Sequence, residues 1–183
     1  MAFSIRSAET RDLADLTAIY RESVLNGTAT YEIDPPDEDE MRNRLQTITG
    51  RGYPYIVAED DKGVVLGYAY ASAFRMRSAY NWLVEDSIYL SPAARGQGIG
   101  LALLKELLVR CEALGFRQMV AVIGGASPAS IGVHRAAGFE MSGTIKATGF
   151  KHGQWLDTVF MQIELGEGAS TLPDLETYPG NLK

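Results

Sequence analysis

The chain has 183 residues and a net charge of −6 at neutral pH. Hydrophobic residues make up 46% and charged residues 22%, which is ordinary for a globular domain. This is enough apolar material for a core that needs neither a metal ion nor disulfides to stabilise it. The acidic balance argues against a nucleic-acid partner, because such partners favour a basic surface.

The compartment signals in the sequence favour the cytoplasm. Cys111 is the single cysteine, so no intrachain disulfide can form, which suits a reducing compartment. Residues 1–12 lack the basic and then apolar segments of a secretory signal. The apolar runs fall well short of the roughly 20 residues that span a bilayer. We therefore expect a cytoplasmic protein without a membrane partner.

In chain order, the first predicted element is a strand over residues 3–8. A helix follows from Thr10, with apolar residues at helical intervals until residues 26–27 stop it. Residues 28–34 read as extended. A second helix is predicted over residues 39–49, with acidic residues in its first turn, where the helix dipole favours them.

The rest of the chain predicts six more strands and two more helices. Residues 61–63, Asp-Lys-Gly, lie between two β-rich runs and signal a hairpin. The predicted strands cover residues 54–60, 64–74, 81–91, 117–125, 139–150 and 154–165, and the helices cover residues 99–108 and 127–138. The resulting order, β-α-α-β-β-β-α-β-α-β-β, predicts an α/β sandwich with a mixed sheet.

The domain organisation is predicted to be simple. Residues 1–165 carry all the predicted elements without an internal repeat, so we expect one domain. Residues 166–183 turn polar, with glycine and proline. We expect this tail to be disordered or to lie as an arm on a neighbouring surface.

Residues 95–100, Arg-Gly-Gln-Gly-Ile-Gly, place three glycines directly before a helix. Backbone N–H groups at a helix N-terminus lack intrahelical partners and attract anions, and glycine lets a pyrophosphate approach them. A Rossmann fingerprint would need glycine in place of Leu101, and the chain has no Gly-Lys-Ser/Thr of a Walker A loop. The loop satisfies Gln/Arg-x-x-Gly-x-Gly/Ala, and it resembles the coenzyme A pyrophosphate loop of the GNAT N-acetyltransferases.

Three further blocks narrow the resemblance. They are residues 79–92, 123–139 and 149–162, and with the loop they resemble the branch of phosphinothricin, methionine sulfoximine and methionine sulfone acetyltransferases, over roughly residues 3–165. The resemblance implies a GNAT fold, in which a mixed, mostly antiparallel central sheet is flanked by helices and splayed between its two central strands. It also implies acetyl-CoA as co-substrate and no metal.

Glu85 is the predicted general base. Acetyl transfer from a thioester to an α-ammonium needs one, because the ammonium must lose a proton near neutral pH. The glutamate lies in an otherwise apolar strand, where apolar walls raise a carboxyl pKa. Strand alternation puts Glu85, Ser87 and Tyr89 on one face and Asp86 on the other. An exposed strand-face glutamate is the alternative, and the resemblance implies the base.

His134 is the second predicted catalytic residue. On its own, a lone histidine on a short helix reads as a packing residue. The resemblance implies more, because His134 stands where related branches carry a tyrosine that protonates the departing thiolate. In the phosphinothricin branch a histidine is assigned a catalytic role.

The acetyl-CoA contacts are also implied by the resemblance. The backbone of three residues before the loop would pair with the pantetheine like an added strand, and an amide there would face the thioester oxygen. Ser127 stands where the family usually has asparagine, and its hydroxyl can still hydrogen-bond and cap the helix. The predicted acetyl-CoA-binding residues are Ile88, Tyr89, Leu90, Arg95, Gly96, Gln97, Gly98, Ile99, Gly100, Leu101 and Ser127.

The acceptor side is predicted from an arginine pair. Arg75 and Arg77 share a face if their segment is extended, and guanidinium groups suit a carboxylate, although two solvated loop arginines are the alternative. The resemblance implies a homodimer, with the hairpin that carries Trp155 and Phe160 as the candidate surface. The predicted substrate-binding residues are Tyr31, Arg75, Met76, Arg77, Glu85, Asp86 and Ser87.

The sequence therefore favours an enzyme that acetylates the α-amine of a small amino acid analogue and thereby detoxifies it. A protein N-terminus or a polyamine is the alternative acceptor, although a polyamine site would be lined by acids rather than by arginines. A binding module that senses acyl-CoA without turnover is the third interpretation, and it would be favoured by the loss of the base.

Overall fold

The computed structural model describes residues 2–175 of the chain. Within that range the helices and strands follow one another in the predicted order. The strands are β1 (Phe3–Ser7), β2 (Tyr55–Asp60), β3 (Val65–Ala73), β4 (Leu83–Leu90), β5 (Gln118–Gly124), β6 (Glu140–Lys151) and β7 (Gln154–Glu164). The helices are α1 (Leu13–Asn26), α2 (Glu38–Gly50), α3 (Ile99–Ala113) and α4 (Pro128–Ala136).

Local sequence signals set the helix ends. Asp37 begins α2 as an N-cap whose side chain accepts a hydrogen bond from the amide of Glu40. Ser127 caps α4 in the same way, and Pro128 occupies its first turn. Gly27 ends α1. The segment after it differs from the sequence prediction, because residues 28–34 bend across the molecule instead of running extended.

The strands form one seven-stranded sheet in the order β1-β2-β3-β4-β5-β7-β6. Neighbouring strands are antiparallel except β4 and β5, which are parallel. The glycine loop and α3 supply the crossover that a parallel pair requires. The α/β class and the mixed, mostly antiparallel sheet are thereby confirmed.

The two central strands, β4 and β5, are paired along only half of β4. The ladder between β4 and β5 runs from the pair Leu83–Gln118 to the pair Asp86–Ala121 and ends there. Strand β4 continues for four residues beyond Asp86, and it stays paired with β3 through Leu90. The sheet is therefore splayed between its central strands, as predicted, and the opening lies at the carboxyl end of β4.

The sheet separates two hydrophobic cores. Helices α1 and α2 cover the first face, where tyrosines of β2 and β3 pack with the helices. Helices α3 and α4 cover the second face, where the packing is mostly aliphatic and includes Cys111, as its helical spacing predicts. Alternation along β4 places Glu85 on the first face and Asp86 on the second, because they pair with Ser72 and Ala71 of β3.

Part of the predicted tail lies against the domain. The Arg117 guanidinium donates hydrogen bonds to the carbonyl oxygens of Gly168 and Leu172 and to Thr171 Oγ1. Residues 176–183, the rest of the predicted tail, lie outside the described residues, and the domain boundary at residue 165 stays a prediction. Across residues 2–175, no helix is both long and apolar enough to cross a membrane.

Candidate functional site

The glycine loop opens directly into the first turn of α3. Gly96 and Gly98 have φ angles of 73° and 79°, in the left-handed region that favours glycine. Gly98 is the N-cap of α3 and supplies no side-chain cap, so the first amides of the helix are left for an outside acceptor. A Cβ at either glycine would meet nothing within 4 Å, which leaves room for a ligand to reach the backbone.

A groove of about 420 Å³ runs beside this loop, and we call it the loop groove. Its wall includes Arg95, Gly96, Gly100 and Ser127, together with residues 88–90 of β4. Gly100 keeps that wall tight, because a Cβ there would lie 3.2 Å from Leu90 Cδ1. The loop groove therefore brings together the predicted pyrophosphate loop, the predicted pantetheine strand and the serine at the asparagine position.

Four predicted binding residues do not line the loop groove, and one of them is Gly98, the N-cap of α3. The Gln97 amide donates to the carbonyl oxygen of Ala93, Ile99 is buried in the core under the second face, and Leu101 is half-buried in the first turn of α3. Arg95 lines the groove, but its guanidinium donates to Glu22 Oε2 at 2.6 Å. What the loop offers an anion is therefore mainly its backbone.

The splay leaves backbone amides of β4 pointing into the opening. The Ser91 amide donates to the Leu66 carbonyl of the β3 side, so strand alternation turns the amides of Tyr89 and Ser87 toward β3 as well. The amides of Ile88 and Leu90 then point the other way, beyond the end of the β4–β5 ladder. They can pair with an extended chain that enters the gap.

A cavity of about 310 Å³ fills the remainder of the splay, and we call it the central cavity. Glu85, Asp86, Ser87 and His134 are among its lining residues, and Tyr31 closes one side. Some of its lining residues, in β4, in α4 and in the segment after α1, also line the loop groove, so the two spaces meet. The shared residues are Ala29, Ile88, Tyr89 and Ser130.

Glu85 lies half-buried in the central cavity without an ion partner in contact. Burial is the main reason that the pKa of its carboxyl is raised to about 7, and the neighbouring charge of Asp86 adds to the effect. Arg75 opposes the shift. Across residues 2–175, no hydrogen bond reaches this carboxylate, so its oxygens are free to take a proton from a ligand. The group is poised to act as a base near neutral pH.

Asp86 and His134 form a buried pair on the second face. His134 Nε2 lies 3.0 Å from Asp86 Oδ2, and His134 Nδ1 lies 2.7 Å from the backbone oxygen of Ser130. Burial lowers the pKa of His134, but the hydrogen bond and charge of Asp86 outweigh it, so the pKa is raised above its ordinary value. Asp86 Oδ1 is buried and has no hydrogen-bond partner among the described residues.

The bent segment 28–34 forms the roof of the central cavity, and it is fastened to the β6–β7 hairpin. The Tyr31 hydroxyl donates to the Asp157 carbonyl at 3.0 Å and accepts from the Gly125 amide at 3.2 Å. Its ring lies against Gly149, where a Cβ would come within 2.7 Å of Cε2. Lys151 Nζ is buried and donates to the Thr30 carbonyl at 2.9 Å, and burial lowers its pKa.

The structure does not bring the arginine pair into the cavity lining. Residues 75–77 are exposed, and they bend into a short 3₁₀ turn at Ser78–Tyr80 rather than running extended. The Arg75 guanidinium stacks on the Phe74 ring, 4.2 Å from its centroid. Arg75 and Arg77 were expected to share one face only if their segment ran extended, and that condition is not met, because the chain bends at Phe74, Met76 and Arg77. Their role in acceptor binding, like that of Met76, stays a prediction.

The structure adds Ser130, Tyr70 and Thr158 to the predicted cavity residues. Ser130 precedes His134 by four residues, and that spacing places both on one side of a helix. Its hydroxyl lies 3.4 Å from His134 Nδ1. The spacing was readable in the sequence, but a serine near a helix start reads first as a cap. Across the described range, no cluster of at least three histidine, cysteine, aspartate or glutamate residues could hold a metal ion.

The chain matches the family model described as an acetyltransferase (GNAT) domain over residues 5–160. It is 48% identical over 174 residues to a phosphinothricin N-acetyltransferase of Alcaligenes faecalis, covering 94% of this chain and 88% of that protein. An L-methionine sulfoximine/L-methionine sulfone acetyltransferase of Pseudomonas aeruginosa is 42% identical over 165 residues, which is 90% of this chain and 96% of the relative.

A solved structure agrees with these sequence relatives. It is a GNAT superfamily phosphinothricin acetyltransferase from Sinorhizobium meliloti in complex with acetyl-CoA, with a TM-score of 0.96 and 66% sequence identity. The match covers 98% of this chain and 97% of that one. The splayed sheet and the loop groove therefore lie in a fold that is known to hold acetyl-CoA.

Proposed function

This chain belongs to the GNAT acetyltransferase family, and we propose that it transfers the acetyl group of acetyl-CoA to the α-amine of a small amino acid analogue. The acceptor class is that of phosphinothricin, methionine sulfoximine and methionine sulfone, the compounds named for two relatives. One observation carries the proposal: a carboxyl with a pKa of about 7 lies in a small cavity that meets the loop groove at β4.

Acetyl-CoA fits the loop groove. The left-handed glycines and the uncapped start of α3 provide amides for its pyrophosphate. The amides of Ile88 and Leu90 point into the splay, where the pantetheine can pair with β4 and one amide can polarise the thioester carbonyl. The acetyl group then comes to the junction of groove and cavity.

Glu85 prepares the amine for attack. The acceptor enters as an ammonium, and Glu85 takes one proton from it. The Glu85 pKa of about 7 lies nearer to that of an α-ammonium than the pKa of an ordinary carboxyl does, which permits transfer near neutral pH. The amine attacks the thioester carbon, the C–N bond forms, and water takes the second proton from the nitrogen. The C–S bond breaks and the thiolate takes up one proton. One proton is therefore released for each acetyl group transferred.

Two features of the central cavity support a small, zwitterionic acceptor. Asp86 lines the cavity, and its negative charge favours an ammonium there. Arg75 does not line the cavity but acts electrostatically on Glu85, and a guanidinium suits an acceptor carboxylate. The roof at Tyr31 encloses the space, which favours an amino acid over a polypeptide.

We propose that two copies pair through the β6–β7 hairpin. Phe150 and Trp155 form a T-shaped pair there, and their side chains are 58% and 68% exposed. Phe160, the other predicted contact, is half-buried. Such an apolar patch on a sheet edge favours self-association. Light scattering should give twice the chain mass for the parent protein and the single chain mass for Trp155→Ser.

The proposed activity is tested with a panel of amino acid analogues and acetyl-CoA, with released thiol as the readout. The panel contains phosphinothricin, methionine sulfoximine, methionine sulfone, a polyamine and a peptide with a free N-terminus. We expect turnover of the first three and loss of most of it in Glu85→Gln. Turnover confined to the polyamine or the peptide would replace the proposed acceptor.

The proposed role in the cell is detoxification in the cytoplasm. Acetylation removes the positive charge of the α-amine, which an inhibitor that mimics an amino acid needs for recognition. The single cysteine is buried, which suits a reducing compartment. A sensitive bacterium that expresses the chain should grow on phosphinothricin, and one that expresses Glu85→Gln should not.

A further inference from the structure

We propose that Ser130 delivers the proton to the departing thiolate and that His134 acts through Ser130 rather than on the thiolate itself. The inference rests on the proposed function, since it concerns the acid half of the same acetyl transfer. It assigns a catalytic role to a residue that the sequence did not single out, and it makes His134 a positioning residue.

His134 is poorly placed to meet the thiolate. It is only 2% exposed, and both ring nitrogens are engaged, Nε2 by Asp86 and Nδ1 by the Ser130 carbonyl. Its ring also packs edge-on against Phe139, with the centroids 5.0 Å apart. His134 lines the central cavity but does not line the loop groove, where the sulfur must arrive. A second group has to bridge the two spaces.

Ser130 occupies the bridging position. It lines both the central cavity and the loop groove, and it is half-buried. Tyr89 carries the other hydroxyl of the shared residues, but its ring packs on the first face against Tyr20 and Tyr68, with centroids 4.9 and 5.3 Å away. Ser130 is thus the hydroxyl at the junction on the side where His134 lies.

The hydrogen bonds fix the direction of proton flow. A carbonyl oxygen can only accept, so His134 Nδ1 carries the hydrogen that it donates to the Ser130 backbone at 2.7 Å. Ser130 Oγ, 3.4 Å from the same nitrogen, is then an acceptor toward the imidazole. The hydroxyl hydrogen of Ser130 is left to be donated elsewhere, and the loop groove is where it can go.

The step balances as a relay. As the C–S bond breaks, the electron pair stays on sulfur, and the thiolate takes the Ser130 Oγ hydrogen. Ser130 Oγ takes the Nδ1 hydrogen of His134 in the same event, because a free serine alkoxide would be far too basic to persist. His134 is left neutral with its remaining hydrogen on Nε2 toward Asp86, and it recovers a proton from water in the cavity before the next turnover.

Asp86 favours the protonated form of the His134 imidazole. Its carboxylate contacts Nε2 at 3.0 Å and favours the imidazolium, which is the form that can give up a proton. The pair is buried on both sides, so solvent reaches it only through the central cavity. Asp86 therefore favours the protonated form of His134 while the base, Glu85, can still accept a proton.

The test compares Ser130→Ala with Ser130→Thr, using released thiol as the readout and the acceptor that the panel identifies. We expect Ser130→Ala to lower kcat about 100-fold with little change in the KM for acetyl-CoA. Ser130→Thr keeps the hydroxyl and should retain most of the rate. Thiolate departure should become the slow step in Ser130→Ala, so kcat should lose its dependence on the amine pKa across a series of acceptors.

Ser127→Ala is the matched comparison, because it removes a hydroxyl at the same end of α4 that lines the loop groove but not the central cavity, together with its capping bond to the Ser130 amide. It should raise the KM for acetyl-CoA more than it lowers kcat. A double variant, Ser130→Ala with His134→Gln, should lose no more rate than the slower single variant, since residues that act in series are not additive.

Three results would overturn the inference while the proposed function stands. They are an unchanged kcat in Ser130→Ala, additive losses in the double variant, and a kcat loss found in Tyr89→Phe but absent from Ser130→Ala. Absence of thiol release by the parent protein with every acceptor of the panel would instead remove the proposed function. The parent measurement therefore separates the two failures.

Discussion

Glu85 and Asp86 are adjacent carboxylates on one strand, yet the two faces of the sheet give them opposite chemistry. Glu85, on the first face, has no partner in contact, and burial raises its pKa to about 7. Asp86, on the second face, is paired with His134 and raises the pKa of that imidazole. One peptide unit thus separates the proposed base from the carboxylate that pairs with His134.

The surroundings of the two faces explain the difference. Around Glu85 the first face carries tyrosines, such as Tyr70, whose own pKa is raised to about 12 mainly by burial, so they stay neutral. A neutral phenol carries no positive charge, so these tyrosines give an ionised glutamate no ion partner. On the second face α4 packs against β5, next to β4, which brings an imidazole within hydrogen-bond distance of Asp86. Strand alternation alone therefore distributes two identical functional groups into two roles.

The largest expected effect tests the base side. Glu85→Gln should lower kcat/KM for the acceptor by roughly 10²–10⁴-fold, because it removes the only proton acceptor proposed for the ammonium. In the parent protein kcat/KM should rise with pH through about 7 as Glu85 ionises, and this limb should vanish in the variant. Released thiol measures both.

Glu164→Gln is the control, since this exposed strand glutamate bonds Gln118 far from the cavity. It should leave the rate and the pH profile unchanged. Calorimetry should show acetyl-CoA binding intact in Glu85→Gln. A parental pH profile in Glu85→Gln would remove Glu85 as the base.

The next largest effect tests the paired side through stability. His134→Leu should lower the free energy of unfolding by about 3–5 kcal/mol, because it leaves Asp86 buried without its partner. The double replacement Asp86→Leu/His134→Leu should recover most of the loss, since no buried charge then remains. Urea unfolding followed by circular dichroism measures both variants. Equal stability of the single and double variants would argue against a charged pair.

The same pair should make stability depend on pH. The folded-state pKa of His134 is raised above its unfolded value of 6.5. The stabilisation from its proton is therefore fully present below about pH 6.5, and it is lost as pH rises through the folded-state pKa. The free energy of unfolding of the parent protein should fall over that range more steeply than that of the double leucine variant.

Glu85→Gln should change stability in the direction opposite to His134→Leu, and by a smaller amount. The pKa of Glu85 is raised from 4.5 to about 7 on folding. The stabilisation that its bound proton gives the folded state is therefore fully present below pH 4.5 and is lost as pH rises through about 7. Above pH 7 the ionised glutamate destabilises the fold, and Glu85→Gln should increase the free energy of unfolding by about 1–3 kcal/mol. The gain should disappear at pH 4. A loss of stability at pH 8 would contradict the desolvated carboxylate.

The smallest effect concerns the donor end alone. Gly98→Ala should cost about 1–2 kcal/mol of stability, because a side chain is strained at φ 79° although nothing blocks the Cβ. It should raise the KM for acetyl-CoA and leave the KM for the acceptor near its parent value. Gly132→Ala is the matched control in α4, with an unblocked Cβ and no left-handed φ, and it should gain about 0.5–1 kcal/mol. Similar losses in both variants would contradict the role of the left-handed backbone.

The sequence predicted the parts of this molecule that depend on local periodicity. Alternation in β4 correctly separated Glu85 from Asp86, and the helix stripes gave the element order. The sequence left the path of residues 75–77 open, because the adjacent 3₁₀ turn at Ser78–Tyr80 has no strong sequence signal. The Asp86–His134 contact joins positions 48 residues apart, so no local pattern could reveal it. Ser130 gained its importance only once that contact was known.

Gly149 shows how the acceptor space can change without any change at the reacting atoms. The Tyr31 ring occupies the volume that a side chain at position 149 would need. Any larger residue there would displace the ring toward the central cavity and narrow it from behind. Substrate preference can thus evolve through a strand that the acceptor never meets, while the carboxylates of β4 remain as they are.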